Sequence, residues 1–120
     1  KSYKNIENHV TFRFATVFGP SSRMRTDLLV NNFVLKTMRD RVLVLYECEF
    51  MRNYVHLQDV CRAFMFVIDN WDSCKNETYN VGNSQKFYDK GFECKYDLDD
   101  GIRQLIKAYS IIEAPWYANY

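Results

Sequence analysis

The sequence is poor in glycine, proline and histidine, with four, two and two residues among its 120. The glycines are isolated from one another, so they cannot form the G-x-G-x-x-G loop that cradles a dinucleotide pyrophosphate; they lie at Gly19, Gly82, Gly91 and Gly101. The four cysteines include no C-x-x-C pair, and with only His9 and His56 beside them no zinc-binding spacing is present. These residues therefore exclude a glycine-rich phosphate loop and a zinc site of ordinary spacing.

Long apolar runs and a strong net charge are also missing. No segment is apolar for long enough to span a bilayer, and a net charge of +1 excludes a general polyanion binder. No dense basic stripe suggests nucleic-acid binding. The composition, 48% hydrophobic and 26% charged, is that of one globular domain with a modest core. Residues 1–66 are more basic than residues 67–120, which fits a local anion site in the first part.

The cysteines and the N-terminal segment indicate the cellular compartment in which the protein is expected. Cysteines without a pairing pattern predict reduced, mostly buried thiols. No signal-peptide pattern precedes the first predicted strand. We therefore expect a cytoplasmic protein, with another reducing compartment as the alternative.

Strand-like and helix-like segments alternate along the chain. Residues 9–18 are rich in β-branched and aromatic residues and end at a Gly-Pro pair, which predicts a strand and a loop. "RVLVLYE" at 41–47, "NYVHL" at 53–57 and "ETYNVG" at 77–82 predict three more strands. Helical patterns separate them, so we expect an α/β fold with parallel strand pairing.

Three helices are predicted from apolar spacing and capping residues. The first is capped by Thr26 or Asp27 and runs to about Asp40; the second begins at Asp59; the third is capped by Asp97. Their expected apolar faces are Leu29, Val30, Phe33, Val34 and Thr37; Val60, Ala63, Phe64, Val67 and Ile68; and Ile102, Leu105, Ile106, Tyr109 and Ile112.

The residues alone indicate no catalytic constellation. No serine sits in a nucleophile elbow, and Asp99 and Asp100 are neighbours on a helix, so their carboxylates diverge. Composition and spacing thus support an α/β domain with a possible anion site. We assign no catalytic and no metal-binding residue within this sequence.

Three blocks in order resemble the C-terminal half of the extended short-chain dehydrogenase/reductase family, the NAD(P)-dependent nucleotide-sugar epimerases and dehydratases. The blocks are "FRFATVFGPSSRMRTDLLVNNF", "RVLVLYECEFMRNYVHLQDVCRAFMFVIDN" and "ETYNVGNS", and "GFECKYDLDDGIRQLIKAYSII" resembles the closing helix. The resemblance implies late strands of a Rossmann-like parallel sheet plus the C-terminal substrate-binding lobe. It also implies NAD or NADP as cofactor, bound mainly by residues not present here.

The resemblance implies a set of nucleotide-sugar-binding residues. Arg52 matches the arginine that pairs with the substrate diphosphate, and a guanidinium suits this role because its rigid fork fits phosphate oxygens. Thr16 lies where the family has a small polar residue near the diphosphate. Asn32 and Phe33 match positions that meet the nucleotide. Val44 and Tyr46, alternate residues on a predicted strand face, match the pair that packs the base.

Each of these residues also has a purely structural interpretation. Val44 and Tyr46 could be core residues, and Asn32 could bridge backbone groups. Arg52 could pair with Glu47, Glu49 or Asp59 and bind nothing. We favour the anion-binding role for Arg52 and leave both interpretations open for the others.

The departures from the family pattern concern whole segments. The dinucleotide fingerprint and the Tyr-x-x-x-Lys catalytic pair lie upstream of these blocks in the family. Residues 85–90 stand where family members have several tens of residues, including a second diphosphate arginine. We therefore interpret residues 1–120 as a partial domain: 1–84 carry late sheet strands and the nucleotide-sugar-binding lobe, and 85–120 a shortened linker and the C-terminal helix.

A partial sheet would leave strand edges and apolar faces exposed. We therefore predict completion by the protein's own N-terminal half or by another subunit, in an oligomer, with a nucleotide-sugar as substrate and no nucleic acid or membrane partner. Two functions remain open. One is the substrate-binding portion of an NAD(P)-dependent epimerase or dehydratase, active only with a dinucleotide-binding half. The other is a non-catalytic remnant of that fold, serving as a structural or accessory subunit of a larger assembly.

Overall fold

Two pairs of parallel strands form the centre of the fold. The computed structural model describes residues 6–46, 48–82 and 85–112. Its strands are β1 (Val10–Phe14), β2 (Thr16–Phe18), β3 (Tyr54–His56) and β4 (Glu77–Val81). β1 pairs in parallel with β4, and β2 pairs in parallel with β3. The predicted α/β class and parallel pairing are therefore confirmed.

The predicted strand at 9–18 is divided at Ala15. The N–H of Ala15 donates to the carbonyl of Val81 (2.9 Å), whereas the N–H of Thr16 donates to the carbonyl of Asn53 (3.1 Å). The chain thus changes neighbours within one residue, from β4 to β3. Gly82 permits this crossing, because a Cβ atom there would lie 2.7 Å from the Cβ of Ala15 and its φ is +126°.

Five helices follow or separate these strands in the described residues. They are α1 (Leu29–Asp40), α2 (Leu57–Asp69), α3 (Trp71–Cys74), α4 (Gln85–Tyr88) and α5 (Leu98–Ile111). α5 packs against α1, and α2 follows β3 directly.

The predicted caps are wrong for α1 and right for α5. The N-cap of α1 is Leu28, without a side-chain hydrogen bond. Asp27 is not the cap, and both of its carboxylate oxygens accept from the guanidinium of Arg25 (2.7 and 2.5 Å). Asp97 caps α5 as predicted and forms a capping box with Asp100.

The predicted start of α2 at Asp59 is also wrong. α2 begins at Leu57, and the side chain of His56 accepts a hydrogen bond from the N–H of Gln58 as its N-cap. The carboxylate of Asp59 turns inward instead and is fully buried.

The predicted strand at 41–47 is absent. Residues 42–45 have no regular secondary structure, and Val42, Val44 and Tyr46 are 63%, 61% and 86% exposed. Residue 47, and with it the last position of the predicted strand, lies outside the described residues. The alternating apolar pattern thus marks a segment without a paired neighbour in the described part of the chain, and a strand requires such a neighbour for its hydrogen bonds.

The core consists of two apolar clusters. The first lies around β3, β4 and α2: Val55, Ala63, Val67, Cys74, Tyr79, Val81, Phe87 and Phe92. The second joins β2 to α1 and α5: Phe18, Met24, Val30, Val34, Leu35, Leu105 and Tyr109.

The predicted helix faces match these clusters only in their central positions. Val30, Val34, Ala63, Val67, Leu105 and Tyr109 are buried, but Leu29, Thr37, Phe64, Ile68, Ile106 and Ile112 are exposed. The prediction of mostly buried cysteines is wrong as well, since Cys74 is buried and Cys48, Cys61 and Cys94 are exposed. Among the described residues, no helix combines the length and apolar character needed to cross a membrane.

Candidate functional site

Two clefts lie side by side between α1 and the segment that precedes β3. The arginine cleft has a volume of about 390 Å³ and is lined by Leu29, Phe33, Leu45, Tyr46, Cys48, Phe50, Arg52 and Tyr54. The lysine cleft has a volume of about 550 Å³ and is lined by Leu29, Phe33, Lys36, Asp40, Val42, Leu43, Val44 and Tyr46. Because the clefts share Leu29, Phe33 and Tyr46, we treat them as one groove.

Arg52 stands at one end of this groove on an exposed stretch of chain. The next residue is fixed, because the carbonyl of Asn53 accepts from the N–H of Thr16 at the start of the β2–β3 pair. Within residues 6–46, 48–82 and 85–112, Arg52 forms no ion pair. Pairing with Glu49 or Asp59 is therefore not observed, and Glu47 lies outside the described residues. The guanidinium is left available to an anion in the cleft.

Phe33, Val44 and Tyr46 surround the middle and the far part of the groove. Phe33 is half-buried and projects from α1, while Tyr46 and Val44 come from the opposite segment. Their expected arrangement on a strand face is wrong, since that strand is absent. Val44 and Tyr46 are not core residues either, because they are 61% and 86% exposed. The groove thus has an aromatic wall on either side, which suits a flat ring.

Thr16 and Asn32 do not line the groove. Thr16 is exposed and pairs in register with Tyr54, a residue of the arginine cleft. The side-chain amide of Asn32 donates to the carbonyl of Thr26 (2.9 Å) and so bridges backbone before α1. Their contact with a nucleotide-sugar remains a prediction.

Asn31, which sequence reasoning missed, positions α1 and with it one wall of the groove. Its side chain is almost fully buried; its Oδ1 accepts from the N–H of Gly19 (3.1 Å) and its Nδ2 donates to the carbonyl of Arg25 (3.0 Å). Its own carbonyl accepts from the hydroxyl of Tyr109 on α5 (3.1 Å), and burial raises the pKa of that tyrosine to about 12. A polar residue on the buried face of a helix gives no sequence signal that separates it from a solvated one.

Asp59 is a second positioning residue that the sequence did not reveal. Its carboxylate accepts from the N–H groups of Lys95 (3.0 Å) and Tyr96 (2.9 Å) and forms an ion pair with Arg62 one turn along α2. These bonds hold the linker that leads into α5. The sequence did show an acidic residue three positions before an arginine on a predicted helix. This spacing is equally typical of an exposed ion pair, so it does not indicate that Asp59 is buried.

His56 lies at the junction of β3 and α2. It is 2% exposed, its ring stacks on Tyr96 with centroids 4.9 Å apart, and its Nδ1 accepts from the N–H of Gln58 (3.2 Å). Burial lowers the pKa of His56 below its ordinary value, although the negative charges of Asp59 and Asp100 oppose the shift. The imidazole is therefore held neutral.

We expect stability to fall as the pH is lowered below about 6.5, because the unfolded chain then binds a proton that buried His56 refuses. Above this pH both states carry a neutral ring and the contribution is constant. The melting temperature, measured through this range, should decline less steeply in His56→Asn, which keeps a capping side chain. An unchanged slope in His56→Asn would contradict the assignment.

The described residues do not fit a dinucleotide cofactor. No two glycines lie within one loop, and the backbone at Gly19 and Gly101 is occupied, since a Cβ atom there would approach the His56 ring to 2.9 Å. A pyrophosphate cradle needs several close backbone N–H groups after a strand. We therefore assign NAD(P) to none of the residues that the structure describes. The described part of the chain also contains no cluster of three His, Cys, Asp or Glu side chains that could hold a metal ion.

Comparison with known proteins agrees with this architecture. Residues 3–82 match the NAD dependent epimerase/dehydratase family. The fold is similar to ADP-L-glycero-D-manno-heptose-6-epimerase from Helicobacter pylori, with a TM-score of 0.71 and 19% identity over 87% of this chain and 45% of that one. It is also similar to RMD from Pseudomonas aeruginosa, solved with NADPH, with a TM-score of 0.66 and 11% identity over 83% of this chain and 47% of that one.

This chain therefore spans less than half the length of these two structures. The expected fold, late strands of a Rossmann-like sheet with the lobe that follows them, is confirmed. Because the family match covers most of the sequence, from the first strand to the end of β4, the chain belongs to the NAD-dependent epimerase/dehydratase family.

Proposed function

We propose that this chain is the substrate-binding portion of an NAD(P)-dependent nucleotide-sugar epimerase or dehydratase. The groove binds the nucleotide diphosphate, with Arg52 on the phosphates and Phe33 and Tyr46 on either side of the base. The dinucleotide fingerprint and the catalytic Tyr-Lys pair belong to polypeptide outside this sequence. Epimerase or dehydratase activity then depends on the joining of the two parts.

The observation that supports this most directly is the position of Arg52. Its guanidinium lines the same cleft as Phe33 and Tyr46, and it forms no ion pair with any described residue. A fixed cation beside two aromatic side chains in a cleft of about 390 Å³ matches the chemistry of a nucleoside diphosphate. Family membership adds that the fold elsewhere serves NAD-dependent chemistry.

Completion by another polypeptide is supported by the surface beside β1. In the described chain β1 has β4 as its one strand neighbour, so its other edge is unpaired. Apolar side chains of β1 and α2 are exposed as well: Phe14, which contacts Phe64 at 5.8 Å between ring centroids, is 39% exposed, and Phe64 and Ile68 are 48% and 64% exposed. We infer that either the protein's own N-terminal half or another subunit covers this surface.

The alternative function is a non-catalytic subunit of a larger assembly. The same open apolar surface favours it, because a protein retained for assembly needs a large contact face. Under this alternative Arg52 has no ligand and the groove stays empty.

Arg52→Gln tests the proposed function. In the full chain, purified with any polypeptide that accompanies it, we expect the affinity for a nucleoside diphosphate to fall by roughly thirtyfold, since a charge-assisted bond to phosphate contributes about 2 kcal/mol. Isothermal titration calorimetry with UDP measures this. Arg23→Gln, an exposed arginine of the loop before α1 that does not line the groove, is the matched control and should leave affinity unchanged.

Native mass spectrometry of the same sample separates the two functions. A complex that contains a dinucleotide-binding segment and a bound nucleotide-sugar or NAD(P) supports the enzyme. A large assembly that contains neither ligand, together with no UDP binding by the wild type, would support the accessory subunit instead.

A further inference from the structure

We infer that Lys36 makes the groove selective for pyrimidine bases with a carbonyl group at ring position 4, as in uracil, over those with an amino group there, as in cytosine. This inference rests on the proposed function, because it assumes that a nucleoside diphosphate lies in the groove. It concerns the end of the groove opposite Arg52.

The groove has a defined direction. Arg52 lines only the arginine cleft, Lys36 lines only the lysine cleft, and Phe33 and Tyr46 line both. Phe33 and Lys36 are three residues apart on α1, so they lie on neighbouring positions of one helix face. A nucleotide with its diphosphate at Arg52 therefore extends past the aromatic pair toward Lys36.

At that end, the ammonium group of Lys36 has no ion-pair partner among the described residues. Asp40, one turn further along α1, is engaged by Arg39: Nε donates to Oδ1 (2.6 Å) and Nη2 to Oδ2 (2.8 Å). This hydrogen bonding holds the pKa of Asp40 below its ordinary value, and the charge of Lys36 adds a smaller contribution. With both carboxylate oxygens bonded to Arg39, Lys36 forms no ion pair in the described part of the chain.

The chemistry of an ammonium group then sets the preference. Lysine has three donors and no acceptor, so it bonds a carbonyl oxygen and cannot bond an amino group. Uracil has a carbonyl oxygen at ring position 4, whereas cytosine has an amino group there. Val42, Leu43 and Val44, which also line the lysine cleft, are apolar and offer no side-chain acceptor to an amino group. The side-chain acceptors at this end are the Tyr46 hydroxyl and the Asp40 carboxylate, and Arg39 already donates to both oxygens of that carboxylate.

UDP and CDP are the matched probes, because they carry the same diphosphate and differ at this ring position. Calorimetry on the full chain, with any accompanying polypeptide, should show UDP binding about tenfold tighter than CDP, the discrimination that one well-placed base contact provides. In Lys36→Met the ratio should fall to about one, mainly through weaker UDP binding. Lys107→Met, an exposed lysine on α5 that does not line the groove, should keep the wild-type ratio.

Equal affinity of the wild type for UDP and CDP would overturn the inference, as would a preference that persists in Lys36→Met. Arg52→Gln separates this from the proposed function, since it should weaken both nucleotides alike and leave their ratio intact. If Arg52→Gln weakens neither while Lys36→Met abolishes the preference, the base selectivity stands and the diphosphate role of Arg52 fails. Absence of binding by both nucleotides would overturn the proposed function and this inference with it.

Discussion

Replacing Asp59 with alanine is expected to lower the free energy of unfolding by about 3 kcal/mol. The carboxylate is fully buried and accepts from the N–H groups of Lys95 and Tyr96. Without it, these two donors lose their partner, and Arg62 loses the anion that it contacts on α2. The linker into α5 would then be held by far fewer bonds. Urea denaturation of the variant and the wild type measures the difference.

Asp72→Ala is the matched control for Asp59→Ala. Asp72 also pairs with a cation three residues further along the chain, Lys75, but its side chain is 92% exposed. An exposed pair of this kind contributes less than about 1 kcal/mol, so the control should unfold close to the wild type. Hydrogen exchange gives a local readout: in Asp59→Ala the amides of Lys95 and Tyr96 should exchange faster before global unfolding. A loss below about 1 kcal/mol in Asp59→Ala would contradict the positioning role.

Replacing Gly101 with valine is expected to destabilise the fold by a similar amount, about 3 kcal/mol. Gly101 lies in the first turns of α5, where a Cβ atom would be 2.1 Å from Cε2 of Phe18 and 2.9 Å from Cδ2 of His56. Both neighbours are buried, so neither ring has free space to enter. The gain in helix propensity over glycine is smaller than about 1 kcal/mol and does not offset this overlap. α5 would have to move away from β2 and β3.

A double-mutant cycle with Phe18→Leu tests the cause. The leucine alone should destabilise by leaving space beneath α5, but it should cost less in the Gly101→Val background because the added side chain fills that space. Arg103→Ala, at an exposed position of the same helix, should change the melting temperature little. If the two effects at 101 and 18 are simply additive, the close approach to Phe18 is not the reason for the glycine.

The strands that pair with a neighbouring strand were predicted correctly, whereas the segment at 41–47 was wrongly predicted to be a strand. "NYVHL" and "ETYNVG" contain β3 and β4 at the predicted places, because β-branched and aromatic residues there coincide with parallel partners. "RVLVLYE" has the same local character, yet residues 42–45 form no strand. A local pattern of β-branched and apolar residues shows that a segment can adopt an extended backbone. Strand formation also requires a neighbouring strand within hydrogen-bonding distance.

The candidate site was predictable in part. The resemblance placed Phe33, Val44, Tyr46 and Arg52, and these residues line one groove; it also placed Thr16 and Asn32, which do not. It gave no indication of Lys36, because a lysine on a helix pattern is ordinarily a solvated surface residue. Only the pairing of Arg39 with Asp40 and the position of Lys36 in the groove distinguish it.

Residue patterns along the chain were enough to predict the α/β class, the parallel pairing, the cap of α5 at Asp97 and the family to which the chain belongs. Each of these depends on short-range order: apolar periodicity, a capping side chain within four residues, or a motif of contiguous residues. Three-dimensional packing was needed to show that Asn31 and Asp59 are buried anchors, that Gly101 has no room for a side chain, and which helix faces remain exposed. Those properties depend on contacts between residues that are tens of positions apart, such as Asp59 with Tyr96, and no local pattern encodes them.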